Sequence, residues 1–125
     1  MYQSWRAGQI VELPAITSVA ETLGARKTEA RQFEIITRHV ASLVTVSDEQ
    51  AIDALVDLLA EEKLLTEPAT SCSVAAVLEG KLPVGPEENV VIVLCGANVG
   101  LPRIATWIVR SLEQDGTGSR VGQRR

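Results

Sequence analysis

Apolar residues recur along most of the chain at the three- and four-residue spacing that predicts amphipathic helices. The clearest case follows Ser47, which forms the pattern of a capping box with Gln50 three residues later. The apolar face of this helix comprises Ile52, Leu55, Val56 and Leu59. Acidic residues occupy the other face, so we expect one side to pack in the core and the other to meet water.

Weaker signals predict four more helical segments. Ser18 and Glu21 have capping-box spacing, and Gly24 is placed to end that segment in a left-handed conformation. Thr28 is a candidate cap for a helix that ends near His39. The predicted bounds of the four segments are 18–23, 28–39, 67–80 and 102–116.

Three short runs rich in β-branched residues are predicted to be strands, namely 10–13, 43–46 and 90–94. The third has five consecutive apolar residues, which is typical of a strand buried on both faces. Strands separated by helices of ten or more residues imply a parallel sheet with flanking helices, so the predicted fold class is α/β. Two or three strands are few for such a sheet, which indicates part of a larger domain.

Composition narrows the class of protein. A chain of 125 residues with 46% hydrophobic residues is expected to form one domain, over 1–116, followed by a disordered tail at 117–125. The net charge of −4 argues against a nucleic-acid partner, and no apolar run is long enough for a signal peptide or membrane span. Cys72 and Cys95 have no zinc-ligand spacing, so we expect free thiols in a cytoplasmic protein.

The end of the 90–94 run is the most promising place for a site, because ligands in α/β sheets bind beyond the carboxyl ends of strands. Cys95 and Gly96 follow that run; the thiol either meets a ligand or is a small core residue. Glu67 is either a pocket carboxylate or an acid that complements a helix dipole. Asn98 is either a site residue or a turn former, and His39 is interpreted as structural.

Several short motifs, taken in order, resemble the pyridoxal-phosphate-dependent serine/threonine dehydratase family, in particular its liver-type L-serine dehydratase branch. The motifs are Ser4-Trp5-Arg6-Ala7-Gly8, Leu13-Pro14-Ala15-Ile16-Thr17-Ser18-Val19-Ala20, Leu23-Gly24-Ala25, Glu67-Pro68-Ala69 and Val91-Ile92-Val93-Leu94-Cys95-Gly96. The resemblance runs from about residue 4 to residue 112. It implies the C-terminal part of the large domain of a tryptophan synthase β-like, fold type II enzyme.

The same resemblance implies roles for individual residues. Cys95 matches the neutral residue beside the pyridine nitrogen of pyridoxal phosphate, where cysteine favours the serine dehydratase branch over threonine dehydratases and serine racemases. Gly96 follows it, Glu67 matches an acid near the cofactor pocket, and Asn98 matches the asparagine that comes after the glycines of the family.

A monovalent cation, K⁺ in the family, is implied at the backbone carbonyls of Leu23 and Ala25. Backbone oxygens are suitable ligands for such a hard cation, and Gly24 between them is expected to permit the curl of the chain. The implied substrates are serine and threonine, and the full-length protein is expected to be a homodimer.

Two departures from the family pattern concern the pocket. Ser71 and Ala97 stand where the family has glycines, and we expect their side chains to narrow it. No lysine follows a Ser-x pair, and no glycine-rich loop is present to bind a phosphate. We therefore expect a fragment with no catalytic residue of its own, which alone neither binds the cofactor nor turns over substrate. The alternatives are an inactive module that acts through protein association, or another fold type II branch.

Overall fold

The structure is a computed structural model that describes the backbone of residues 1–115 and the side chains of residues 1–113. Residues 1–115 form five α-helices, together with a short 3₁₀-helix and one π-helical turn. The α-helices are α1 (Tyr2–Ala7), α2 (Ala30–His39), α3 (Asp48–Asp57), α4 (Pro68–Leu78) and α5 (Leu101–Asp115). The 3₁₀-helix spans Glu21–Leu23, and the π-helical turn Leu58–Glu62 directly continues α3.

The core lies where α3 packs against α4 and α5. Its apolar centre is formed by Ile52, Leu55, Ile104 and Trp107, and Leu55 is completely buried. Small residues of α4, Ala75 among them, lie buried in the same region. The predicted apolar face of α3 therefore does face the core.

The starts of α3 and α4 follow the predicted local chemistry. Ser47 Oγ accepts a hydrogen bond from the backbone N–H of Gln50, while the Gln50 side chain accepts one from the backbone N–H of Ser47. This reciprocal capping box is confirmed. Pro68 is the first residue of α4, and Gly80 just beyond its end has a φ of 61°, which glycine adopts without strain.

Other helix predictions need correction. Helix α1 is not predicted by the sequence patterns, because it has no side-chain cap, although Gly8 ends it in the left-handed conformation. Helix α2 begins after Glu29 rather than Thr28 and receives no side-chain cap, but it does end at His39. Ser18 does not cap the 3₁₀-helix either; its hydroxyl donates to Asp48 Oδ1, 2.7 Å away.

The predicted parallel sheet is not found among the described residues, 1–115, which contain no strand. The 90–94 run is exposed rather than buried on both faces, with Val91 88% and Val93 71% exposed. Residues 42–46 and 90–93 line a common cavity of about 980 Å³ instead of pairing with each other. An extended segment becomes a strand only when a neighbour satisfies its backbone groups, and no described residue does so here.

Within the described residues, no helix has the length and apolar character needed to cross a membrane. The predicted tail, 117–125, lies outside the described residues.

Candidate functional site

Three segments meet at the start of α4: the 3₁₀-helix, the first turn of α4 and the residues that follow the 90–94 run. The contacts that join them centre on Glu67 and Gly96. The backbone N–H of Glu67 donates to the carbonyl oxygen of Gly96 over 3.1 Å. The carboxylate of Glu67 accepts a hydrogen bond from the Thr22 hydroxyl over 3.0 Å. The helix start therefore holds both other segments.

The side chain of Glu67 belongs to a residue that is only 8% exposed, which is unusual for an acid. Its Oε1 atom is the acceptor for Thr22, whereas its Oε2 atom is buried and receives no hydrogen bond from any described residue. The side chain does not cap α4. These contacts favour a pocket carboxylate over an acid that serves only the helix end, since an unsatisfied buried oxygen is costly.

Gly96 lies directly against this carboxylate, so a larger residue there would force the Glu67 side chain to shift. A Cβ atom at Gly96 would lie 2.7 Å from Glu67 Oε1, closer than non-bonded atoms approach. The Gly96 carbonyl accepts hydrogen bonds from the Glu67 N–H and from the Thr70 hydroxyl. The backbone at Gly96 is thus fixed from one side by α4.

Cys95 is a free, exposed thiol, so it is not a core residue of this chain. Its Sγ lies 3.7 Å from the Thr70 hydroxyl oxygen. The thiol is therefore held at the edge of the cluster formed by Glu67, Thr70 and Gly96. It is open to an approaching group.

Asn98 lines a small cavity of about 80 Å³ that is also bounded by Thr22, Glu67, Arg103 and Trp107. The Arg103 guanidinium lies 5.6 Å from the centre of the Trp107 ring, a cation–π geometry, and pairs with Glu21 at 2.9 Å. Among the described residues only Lys63 and glycines have a positive φ, so Asn98 is not a left-handed turn residue. The structure thus brings together Glu67, Gly96 and Asn98, with Cys95 adjacent.

Leu23 and Ala25 lie on the wall of the larger cavity, not in the small one with Asn98. Their carbonyl oxygens accept no hydrogen bond from the described residues. Gly24 between them has an extended backbone, with φ −75°, so the prediction that it ends the preceding helical segment in a left-handed conformation is wrong. Glycine is needed there for another reason: a Cβ atom would lie 2.8 Å from the Glu21 carbonyl oxygen.

Ser71 does not narrow the site, contrary to the sequence-based expectation. Its side chain is completely buried between helices, and its hydroxyl donates to the carbonyl of Ala51 in α3 over 2.6 Å. Cys72 is half-buried on the same helix. Burial raises the pKa of the Cys72 thiol above its ordinary value of 9.0, and the negative charge of Asp48 raises this pKa further.

Sequence reasoning missed two residues that assemble the site, Thr22 and Thr70. Each donates its hydroxyl to a segment more than twenty residues away in sequence. No local pattern marks such contacts. The one available signal is the position of Thr70 in the first turn of a helix that starts with Pro68, where a hydroxyl has no preceding helical carbonyl to bind.

Comparison with known proteins establishes the family. Residues 1–96 match the family described as pyridoxal-phosphate dependent enzymes, which is more than half of the chain. The chain belongs to this enzyme family. A bovine L-serine dehydratase/L-threonine deaminase (Bos taurus) is 36% identical over 124 residues, covering 92% of this chain and 38% of the bovine protein. A human serine dehydratase-like protein (Homo sapiens) is 37% identical over 100 residues, covering 74% of this chain and 30% of the human protein.

Solved structures agree on the fold. A threonine deaminase from T.th. superposes with a TM-score of 0.73 at 28% identity, covering 80% of this chain and 36% of that one. A fungal L-serine ammonia-lyase from Rhizomucor miehei superposes with a TM-score of 0.74 at 22% identity, covering 84% of this chain and 35% of that one. The chain spans little more than a third of the length of these proteins.

Proposed function

We propose that this chain is part of a pyridoxal-phosphate-dependent ammonia-lyase that converts L-serine or L-threonine to pyruvate or 2-oxobutanoate and ammonia. The observation that carries the proposal is the cluster in which α4 holds Gly96 and presents the exposed thiol of Cys95. The relatives named as serine dehydratases and threonine deaminases support the reaction class.

The residues of the cluster are suited to a pocket for pyridoxal phosphate. The buried Glu67 Oε2 has no donor among the described residues, and a Cβ atom at Gly96 would displace that carboxylate. Cys95, Gly96, Glu67 and Asn98 would form one wall of the cofactor pocket. Pyridoxal phosphate, when bound, supplies the electron sink for α-proton loss and β-elimination.

In this arrangement Cys95 would be the neutral partner of the pyridine nitrogen. A thiol donates or accepts only a weak hydrogen bond, so it would leave the ring less electron-withdrawing than a carboxylate partner would. That suits elimination of a hydroxyl group better than reactions that need long-lived negative charge on the substrate. Glu67 holds Gly96 and so keeps the backbone beside the thiol in place.

Leu23 and Ala25 are proposed to contribute backbone carbonyls to a K⁺ site. Their oxygens are not used by the described residues, which is the condition such ligands must meet. Thr22, which precedes them, connects this loop to Glu67. The cation site and the cofactor pocket would therefore be connected by the hydrogen bond between Thr22 and Glu67.

The remaining catalytic parts would come from elsewhere in the protein. None of the three lysines Lys27, Lys63 and Lys81 stands in a Ser-x-Lys sequence, so a Schiff-base lysine is proposed to lie outside these residues. We propose that the chain alone is inactive and that the full-length protein is a cytoplasmic homodimer.

The test is to read the gene upstream of Met1 and to express the longest protein that contains this chain. We expect an encoded Ser-x-Lys motif and glycine-rich loop, and release of keto acid and ammonia from L-serine or L-threonine. An upstream region that encodes neither part contradicts the proposal, as does a longer protein that binds the cofactor without releasing keto acid from either substrate.

A second candidate is an inactive module that acts through association with another polypeptide. The 90–94 run favours it, since Val91 and Val93 are largely exposed and none of the described residues that line the cavity beside them has a charged side chain. Backbone groups of this run make no hydrogen bond with described residues, which suits pairing with an added strand.

Size-exclusion chromatography of the chain tests this candidate. Association through the run predicts a dimer or larger species that Val93→Lys converts to monomer, whereas Leu101→Lys, at a position 74% exposed on α5, does not. A monomer with sharp thermal unfolding would rule out the need for a partner.

A further inference from the structure

The side chain of Thr70 connects α4 to the two residues that follow the 90–94 run. Thr70 is 1% exposed, and its hydroxyl donates to the Gly96 carbonyl over 3.0 Å. The same oxygen lies 3.7 Å from the sulfur of Cys95. A hydroxyl has one hydrogen and two lone pairs, so the hydrogen used for Gly96 leaves a lone pair to accept from the thiol S–H.

This use of a threonine hydroxyl differs from that of other helical threonines in the chain. The hydroxyls of Thr37 and Thr106 each donate to the carbonyl four residues earlier in sequence. Thr70 instead bonds to a residue 26 positions later, on a different segment. Its hydroxyl therefore fixes the relation between α4 and the site rather than the helix itself.

We propose that Thr70 is a positioning residue for Cys95, because its hydroxyl holds the thiol in one orientation at the edge of the site. No other described polar group forms a hydrogen bond with the sulfur, so the exposed thiol has only this tether. The inference rests on the proposed function only in that the oriented thiol would face the cofactor. The contact itself is a property of this chain.

The experiment measures the reaction rate of Cys95 with an aromatic disulfide in the chain carrying Cys72→Ala, which leaves a single thiol. Thr70→Val keeps the shape but removes the hydroxyl, and we expect Cys95 to react about threefold faster, as suits loss of one weak S–H···O bond. Thr70→Ser retains the hydroxyl and should restore the parent rate. Thr37→Val is the matched control, since it removes a helical hydroxyl far from the site in sequence.

A second measurement on the unsubstituted chain needs no variant to fold. Nuclear magnetic resonance should show a slowly exchanging Thr70 hydroxyl proton with a cross-peak to the β-protons of Cys95. A Thr70→Val rate equal to that of Thr37→Val, or a rapidly exchanging hydroxyl without the cross-peak, overturns the proposal. Neither measurement uses cofactor or substrate. A negative result for Thr70 would therefore leave the ammonia-lyase proposal unaffected, and failure of the ammonia-lyase proposal would leave the contact between Thr70 and Cys95 unaffected.

Discussion

The unit formed by α3, α4 and α5 and the 90–94 run are both rich in apolar residues, yet only the first is buried. Leu55 in α3 is completely buried, while Val91 in the run is 88% exposed. Helices satisfy their backbone groups internally and need only one face covered. The run needs neighbours on both edges and both faces, and the described residues do not supply them.

The two regions differ in which contacts specify their structure. The helical unit is specified by contacts among its own residues, such as the capping box at Ser47. The 90–94 run, by contrast, forms no backbone hydrogen bond with any described residue. The candidate site lies at the junction, where α4 holds the end of the run through Glu67 and Thr70.

The largest change in the free energy of unfolding is expected for a substitution in the buried helical unit. Leu55→Ala removes a side chain packed among Ile52, Ile104 and Trp107, and should lower the free energy of unfolding by about 2–5 kcal/mol. Val91→Ala removes apolar atoms from an exposed position and should change it by less than about 0.5 kcal/mol. Urea unfolding followed by circular dichroism measures both.

Equal losses for these two variants would contradict the comparison. They would mean that Val91 is buried in solution, for example by association of chains. Repeating the measurement over a range of protein concentrations would then separate folding from association.

A smaller effect is expected inside α4, where two serines differ in environment. Ser71 is completely buried and donates to the Ala51 carbonyl, so Ser71→Ala should cost about 0.5–1.5 kcal/mol. Ser73→Ala, on the exposed side of the same helix, should change stability little. If Ser71→Ala is as stable as Ser73→Ala, the hydroxyl does not join α3 to α4, and the same urea unfolding experiment decides it.

The smallest effect is a dependence on pH. Because burial and Asp48 raise the pKa of Cys72 above 9.0, the folded chain keeps the thiol proton to higher pH than the unfolded chain does. Its stabilising contribution is fully present below the unfolded pKa and is lost as pH rises past 9.0 through the folded pKa. Unfolding curves on either side of that pH should therefore show a loss of stability that Cys72→Ala reduces.

Cys95→Ala serves as the control for that experiment, since the exposed thiol has no comparable burial. The Cys95→Ala variant should show the same loss of stability at high pH as the parent chain. An undiminished loss in Cys72→Ala would assign the pH dependence to other groups.

Local chemistry allowed much of the helical part to be predicted from sequence. The start of α3 at Ser47, the start of α4 at Pro68 and the end of α2 at His39 all follow from short-range patterns. Helix α1 has no such cap, and its discovery required the structure. The sheet could not be predicted reliably because strand formation depends on neighbours far away in the sequence.

In the candidate site, too, some features could be predicted from the sequence and others depend on contacts between distant segments. Glu67 and Gly96 stand out in the sequence through the family resemblance, but their contact follows from the fold. Thr22 and Thr70 reach that contact over long sequence separations, so no spacing rule identifies them. Only the folded chain reveals that the Ser71 hydroxyl bonds to α3 instead of entering the pocket.

We have proposed that α4 presents Cys95 to the ring nitrogen of pyridoxal phosphate. The most direct test is a crystal structure of the longer protein that contains this chain, with the cofactor bound. We expect the Cys95 sulfur to lie within hydrogen-bonding distance of the pyridine nitrogen, with Thr70 still bonded to the Gly96 carbonyl. A ring nitrogen that instead meets a carboxylate, or a cofactor bound away from the start of α4, would contradict it.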